Sequence, residues 1–121
     1  MRALVIDDSR AIRMIMGKLL KELGFDVVEA ADGGQALAKL EEHGAFDLAL
    51  VDWNMPEVDG YEFVCRARGD GRYGTMKIMM VTTESELAQV EKALAAGADE
   101  YLMKPFNKDA VVAKLNILGL C

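Results

Sequence analysis

The sequence predicts an α/β fold: a single five-stranded parallel sheet with helices on both faces. Three observations lead there. Short apolar runs alternate five times with longer amphipathic stretches. The first run is apolar without interruption, as a strand buried on both faces should be. The links between runs are short, which suits repeated strand–helix units with right-handed crossovers.

The elements follow in order. Ala3-Leu4-Val5-Ile6 is the first strand. Ile12, Ile15, Met16, Leu19, Leu20 and Leu23 recur at helical spacing, and Gly24 stops that helix. Phe25 to Ala30 is the second strand. Asp32-Gly33-Gly34-Gln35 resembles a capping box, and Ala36, Leu37 and Leu40 continue the helix. Phe46 to Val51 is the third strand. Asp59-Gly60-Tyr61-Glu62 opens a third helix that ends near Gly69. Met76 to Val81 is the fourth strand. Thr83-Glu84-Ser85-Glu86 offers another capping box, with Leu87, Val90 and Leu94 on one face and Gly97 at the end. Asp99 to Met103 is the fifth strand, and Asn107 caps a last helix bearing Val111, Val112, Leu115 and Leu118.

Composition narrows the function. The 121 residues suffice for one domain, 1–121, and are too few for two. No apolar run approaches the ~20 residues of a membrane helix, and the N-terminus lacks an export signal, so a cytoplasmic location is expected. Net charge is −6, from 14 basic and 20 acidic side chains. Without a segregated basic stripe, that balance argues against direct nucleic-acid binding. Cys65 and Cys121 fit no metal or redox spacing and read as free thiols. His43, the only histidine, reads as a solvated residue at a helix end. The eight methionines read mostly as core filling.

Polar residues collect where the strands end. The first strand runs into Asp7-Asp8, the third into Asp52, the fourth into Thr82-Thr83 and the fifth into Lys104-Pro105. Open parallel sheets bind ligands beyond the carboxyl ends of their strands, at the switch in strand order. Three carboxylates gathered there repel one another unless a cation lies between them. Oxygen ligands with room for water suit Mg²⁺, or Mn²⁺ in its place. Lys104 supplies a compact positive charge, Thr82 a hydroxyl, and a carboxylate can act as nucleophile. These are the parts of a phosphoryl-transfer site. Singly, each has a plainer reading. Asp7-Asp8 could cap a helix, Asp52 could sit in a turn, Lys104 could be a solvated lysine, and Thr82-Thr83 could be a helix entry. Their joint arrival at strand ends carries the signal.

These residues resemble the receiver domains of bacterial response regulators. The matching motifs are Val5-Ile6-Asp7-Asp8-Ser9, Val51-Asp52-Trp53-Asn54-Met55-Pro56 with Asp59-Gly60, Val81-Thr82, Gly97-Ala98 and Lys104-Pro105-Phe106. The resemblance implies a flavodoxin-like sheet order and a set of roles. Asp52 would accept a phosphoryl group from a sensor histidine kinase or a small acyl phosphate. Asp7, Asp8, Asp52 and the backbone carbonyl of Asn54 would hold the metal. Thr82 and Lys104 would bind phosphoryl oxygens, and Lys104-Pro105 would be cis. Thr82 and Tyr101 would carry the switch to a downstream target, which docks on the surface of the fourth helix, fifth strand and fifth helix. Tyr101 as plain core is the simpler alternative. Asn54 and Glu84 would tune loss of the phosphoryl group, and both match the chemotaxis members, implying a short-lived phosphoryl state. Thr83 and Ser9-Arg10 depart from those members and leave the partner open.

A stand-alone response regulator follows, a phospho-accepting signalling domain rather than an enzyme, with chemotaxis as one role. A phosphorelay intermediate passing phosphate onward is the alternative. A haloacid-dehalogenase-type aspartyl-phosphate phosphatase is a poorer fit, because its nucleophile follows the first strand in a D-x-D motif. A flavin module is disfavoured by the two aspartates at its phosphate position. A P-loop is absent, since Gly17-Lys18 precedes Leu19 inside a helix.

Overall fold

A computed structural model describes residues 1–53, 59–83 and 89–120. Its strands are β1 (Arg2–Ile6), β2 (Asp26–Ala30), β3 (Leu48–Asp52), β4 (Lys77–Thr82) and β5 (Glu100–Met103). They alternate with α1 (Arg10–Glu22), α2 (Gly33–His43), α3 (Gly60–Gly69), α4 (Val90–Ala96) and α5 (Lys108–Ile117). All four strand pairings are parallel, in the order β2-β1-β3-β4-β5. The expected fold class is the observed one.

Strand periodicity sorts the core into two layers. Leu4, Ile6, Ala49, Val51, Ile78 and Met80 face one side, where Ala36 and Leu40 of α2, Phe63, Val64 and Ala67 of α3, and Ala93 of α4 cover them. Ala3, Val5, Leu48, Leu50, Met79, Val81 and Leu102 face the other, under Met16 and Leu20 of α1 and Val111 and Leu115 of α5. β1, β3 and β4 are covered on both faces, so their runs are apolar without alternation.

After the first, the observed strands begin later than the apolar runs. Phe25, Phe46 and Met76 are buried but precede their strands, because burial does not require a place in the ladder. At the other end, β3 and β4 extend through Asp52 and Thr82, so two polar residues are the last members of buried strands.

The caps explain where the helices start. Asp32, Asp59 and Asn107 each accept the N–H three residues on, as expected of N-caps. Gln35 completes a variant of the capping box by accepting from Ala31 N–H at 2.9 Å rather than from the cap residue itself. The capping box at Thr83-Glu84-Ser85-Glu86 and the position of Leu87 lie outside the described residues beyond Thr83.

Three expectations need correction. Ile15 is 56% exposed, not part of the buried stripe of α1. Gly17 takes that place beside Met16 and Leu20, packing on Val27 of β2 and turning Ile15 outward. Leu94 is 40% exposed, because α4 packs through Val90 and the small Ala93 instead. Among the described methionines, Met16, Met76, Met79 and Met80 fill the core, whereas Met1, Met14 and Met103 are exposed. His43 is exposed, as expected, and Cys65 is a free thiol, as expected, lying at the surface.

Candidate functional site

The site forms where the chain leaves β1, β3 and β5. β1 and β3 are neighbours in the sheet, yet β2 intervenes in the chain and lies on the far side of β1. The chain therefore diverges in opposite directions beyond Ile6 and Asp52 and leaves a crevice between them.

Asp7 emerges directly from β1 and is buried. Its backbone N–H still donates to Ala30 at 3.1 Å, which fixes the direction of the chain. Asp7 and Asp8 do not cap α1. Ser9 does, accepting the Ile12 N–H on its Oγ at 3.3 Å. Asp7 Oδ1 accepts the Ser9 N–H at 2.8 Å, while its buried Oδ2 has no hydrogen-bond partner among the described residues. Asp8 is exposed at the rim. One carboxylate oxygen from each of Asp7, Asp8 and Asp52 lies within 4.8 Å of the others.

Lys104, at the end of β5, supplies the opposing charge. Its Nζ donates to Asp52 Oδ1 at 3.1 Å and lies 3.6 Å from Asp7 Oδ2. Its backbone N–H donates to the Thr82 carbonyl at 2.6 Å, so the ends of β4 and β5 are tied together. The Lys104-Pro105 bond is cis, as the resemblance implied. Thr82 is buried, pairs with Met103 in the ladder, and donates from Oγ1 to the Thr83 carbonyl at 3.3 Å. Asp52 lies opposite Val81, the residue before it.

The electrostatics follow from this crowding. Burial pushes the Asp52 carboxyl up to about 6, the neighbouring Asp7 adds to the rise, and the Lys104 ammonium offsets part of it. Burial is also the main cause that raises Asp7, opposed by its Ser9 hydrogen bond and by Lys104. Lys104 is pulled down by burial, but the Asp52 and Asp7 carboxylates outweigh that and hold it above its usual range. Among the described residues, Lys104 is the one cation that ion-pairs within this trio, and it meets Asp7 and Asp52 but not Asp8. Among the described residues, three carboxylates against one ammonium leave two negative charges uncompensated, and one buried oxygen without a hydrogen bond. A hard divalent cation with oxygen ligands matches both deficits.

Arg13 escapes the sequence reading as a positioning residue, and Gly60 enters it only as part of a motif and a helix start. Arg13 donates from Nη1 to the Asp7 carbonyl at 2.6 Å and is held by Glu29 at 3.2 Å. The available signal was a cation near the start of a helix, where the dipole disfavours it unless acidic groups lie close. Gly60 allows α3 to begin directly behind Asp52. A Cβ there would stand 2.4 Å from the Asp52 carbonyl oxygen, and the Gly60 N–H donates to Trp53 at 3.3 Å. Asn54 and Glu84 lie outside the described residues. Tyr101 is half-buried on β5, away from the carboxylates, packed beside the α2–α3–α4 side of the core.

Residues 3–116 match the model of the response regulator receiver domain. The chain belongs to the response regulator receiver family. Among similar receivers is the chemotaxis protein CheY1 of Helicobacter pylori, 40% identical over 119 residues, covering 98% of this chain and 96% of that protein. A CheY homolog of Campylobacter jejuni is 41% identical over 98% of this chain and 93% of its own length. The solved structure of chemotaxis protein CheY4 of Vibrio cholerae superposes with a TM-score of 0.89 at 37% identity, over 97% of each chain. This receiver is thus a response regulator of two-component signalling with chemotaxis regulators among its relatives.

Proposed function

We propose that this receiver is a phosphorylation switch, with Asp52 as acceptor, acting as a single receiver domain over residues 1–121 in chemotaxis-type signalling. The observation that carries the reading is the union, at three strand ends, of a buried Asp52 with two further carboxylates and one ammonium. A sensor histidine kinase or a small acyl phosphate would donate the phosphoryl group. Asp52 attacks phosphorus with a carboxylate oxygen, forming an acyl phosphate. The bond from phosphorus to the donor nitrogen or oxygen breaks, and its electron pair leaves with the donor.

Asp7, Asp8 and Asp52, with the backbone carbonyl of Asn54, would hold Mg²⁺ or Mn²⁺. When bound, that ion supplies charge neutralisation for the incoming phosphoryl oxygens. Lys104 already contacts Asp52 and would pass to a phosphoryl oxygen as the acceptor is modified. Thr82 would turn its hydroxyl from the Thr83 carbonyl to the same group. Asn54 and Glu84 would set how quickly water removes it. Asp52 changes from one negative charge to roughly two and gains three acceptor oxygens. Tyr101 would then move, and α4, β5 and α5 would present the altered surface to a target protein. The receiver modifies itself rather than turning over many substrates.

The test uses Trp53, the sole tryptophan and the neighbour of Asp52. Its fluorescence is followed on adding Mg²⁺ and then acetyl phosphate. The expected result is a saturable Mg²⁺ response and a second, phosphate-dependent response that Asp52→Asn abolishes. Labelling of Asp52→Asn by acetyl phosphate would remove Asp52 from the acceptor role.

A further inference from the structure

Tyr101 sits on β5, the edge strand of the sheet. Its ring packs beside the core under α2, α3 and α4. α5 covers the opposite face through Val111 and Leu115. A side chain of α5 nevertheless reaches the ring. Lys114 Nζ lies 4.3 Å from the Tyr101 ring centroid, having passed around the open edge of β5. The same Nζ donates to Glu100 Oε1 at 3.0 Å. That oxygen also accepts the Tyr101 backbone N–H at 2.9 Å. One carboxylate oxygen thus ties the Tyr101 peptide to the ammonium that faces its ring. The Lys114 and Glu100 side chains are only 25% and 17% exposed, so solvent and salt screen the contacts incompletely.

We infer that Lys114 and Glu100 are positioning residues that latch Tyr101 in this place, so that α5 governs how readily the ring leaves it. The inference deepens the switch reading and rests on Tyr101 being the element that moves. The ammonium–ring contact belongs to the observed placement and is lost when the ring departs. A partly exposed contact of this kind alters the ratio of two placements by about two- to fivefold. Glu100 contributes by keeping the ammonium oriented. A partner that competed for Lys114 would open the latch without touching the acid pocket.

Fluorine NMR of the 3-fluorotyrosine-labelled protein tests this, with the Tyr101 signal assigned by Tyr101→Phe among the three tyrosines. Relaxation dispersion measures the ratio of ring placements separately from the chemical-shift change that loss of a nearby charge produces. Lys114→Met keeps the aliphatic stem and removes the charge. It is expected to shift the ratio two- to fivefold toward the displaced ring, with Glu100→Gln moving it in the same direction. Lys114→Arg retains a cation that can face both partners and is expected to restore the wild-type ratio. An unchanged ratio in Lys114→Met, or no restoration by Lys114→Arg, overturns the latch. A shift in Lys114→Met combined with no response of the wild-type ring to Mg²⁺ and acetyl phosphate would instead uphold the latch and overturn Tyr101 as the switch.

Discussion

Replacing Asp52 with asparagine is expected to stabilise the metal-free protein at neutral pH. Folding raises the Asp52 carboxyl from 3.8 to about 6, mainly by burial and then by the nearby Asp7. A folded state that holds a proton more tightly than the unfolded chain loses stability as pH climbs from the unfolded value through the folded one. The loss therefore accumulates between about pH 4 and 6 and levels off above. At 1.36 kcal/mol per unit, a rise from 3.8 to about 6 amounts to roughly 3 kcal/mol. Asparagine resembles the protonated acid, with no charge to desolvate or to repel Asp7. The Lys104 attraction is already contained in the shift, so its loss needs no separate correction. Urea denaturation in chelator at pH 7.5 should show the variant more stable than the wild type by about 1–3 kcal/mol. The gap should shrink toward pH 4. Mg²⁺ should narrow it from the other direction, because a ligand that binds the folded wild type more tightly stabilises it more. A variant no more stable than wild type in chelator, or a gap unchanged between pH 4 and 7.5, would refute the electrostatic reasoning.

Three further outcomes probe other parts of the structure. Asp8→Ala is expected to weaken Mg²⁺ binding by at least about tenfold, the lower end of what even outer-shell partners of a metal contribute; calorimetry giving wild-type affinity would place Asp8 outside the ligand set. Gly60→Ala drives a Cβ into the Asp52 carbonyl and should cost about 1–3 kcal/mol in urea denaturation, so a neutral change would mean that α3 can slide away freely. Arg68 donates to the Gly97 and Tyr73 carbonyls and to Asp99 Oδ2, at 2.7–2.9 Å, joining α3 to the entry of β5. Arg68→Ala is expected to cost about 1–3 kcal/mol by stranding those acceptors, with the Mg²⁺ affinity kept; thermal unfolding at the wild-type temperature would argue that water replaces the guanidinium at no cost.

Much of this was legible in the chain because both helical and strand periodicities are strong. The uninterrupted run around Val5 announced a doubly covered strand, and the carboxylates and lysine followed from asking what lies just past each strand. What escaped depends on distances that spacing does not encode. Ile15 has helical spacing from Ile12 and Leu19 but faces solvent, because a glycine two residues on determines which arc of α1 meets β2. Ser9, not Asp7 or Asp8, caps α1, so neither carboxylate is spent on the helix. Arg13 supports Asp7 through a backbone carbonyl, a partner without a side-chain signature. Lys114 reaches Tyr101 around a sheet edge, a route that no pattern along the chain describes.

The acid pocket draws its charged groups from the first, third and fifth strands, at positions 7–8, 52 and 104. Assembly of the pocket is therefore tied to completion of the fold. A chain emerging during synthesis has its carboxylates long before it has its lysine, and can hold no finished pocket until β5 has paired with β4. Partial unfolding that releases β5 removes Lys104 while leaving Asp52 in the sheet. Under the proposed function, such a molecule keeps its acceptor carboxylate but lacks the cation that would meet a phosphoryl oxygen.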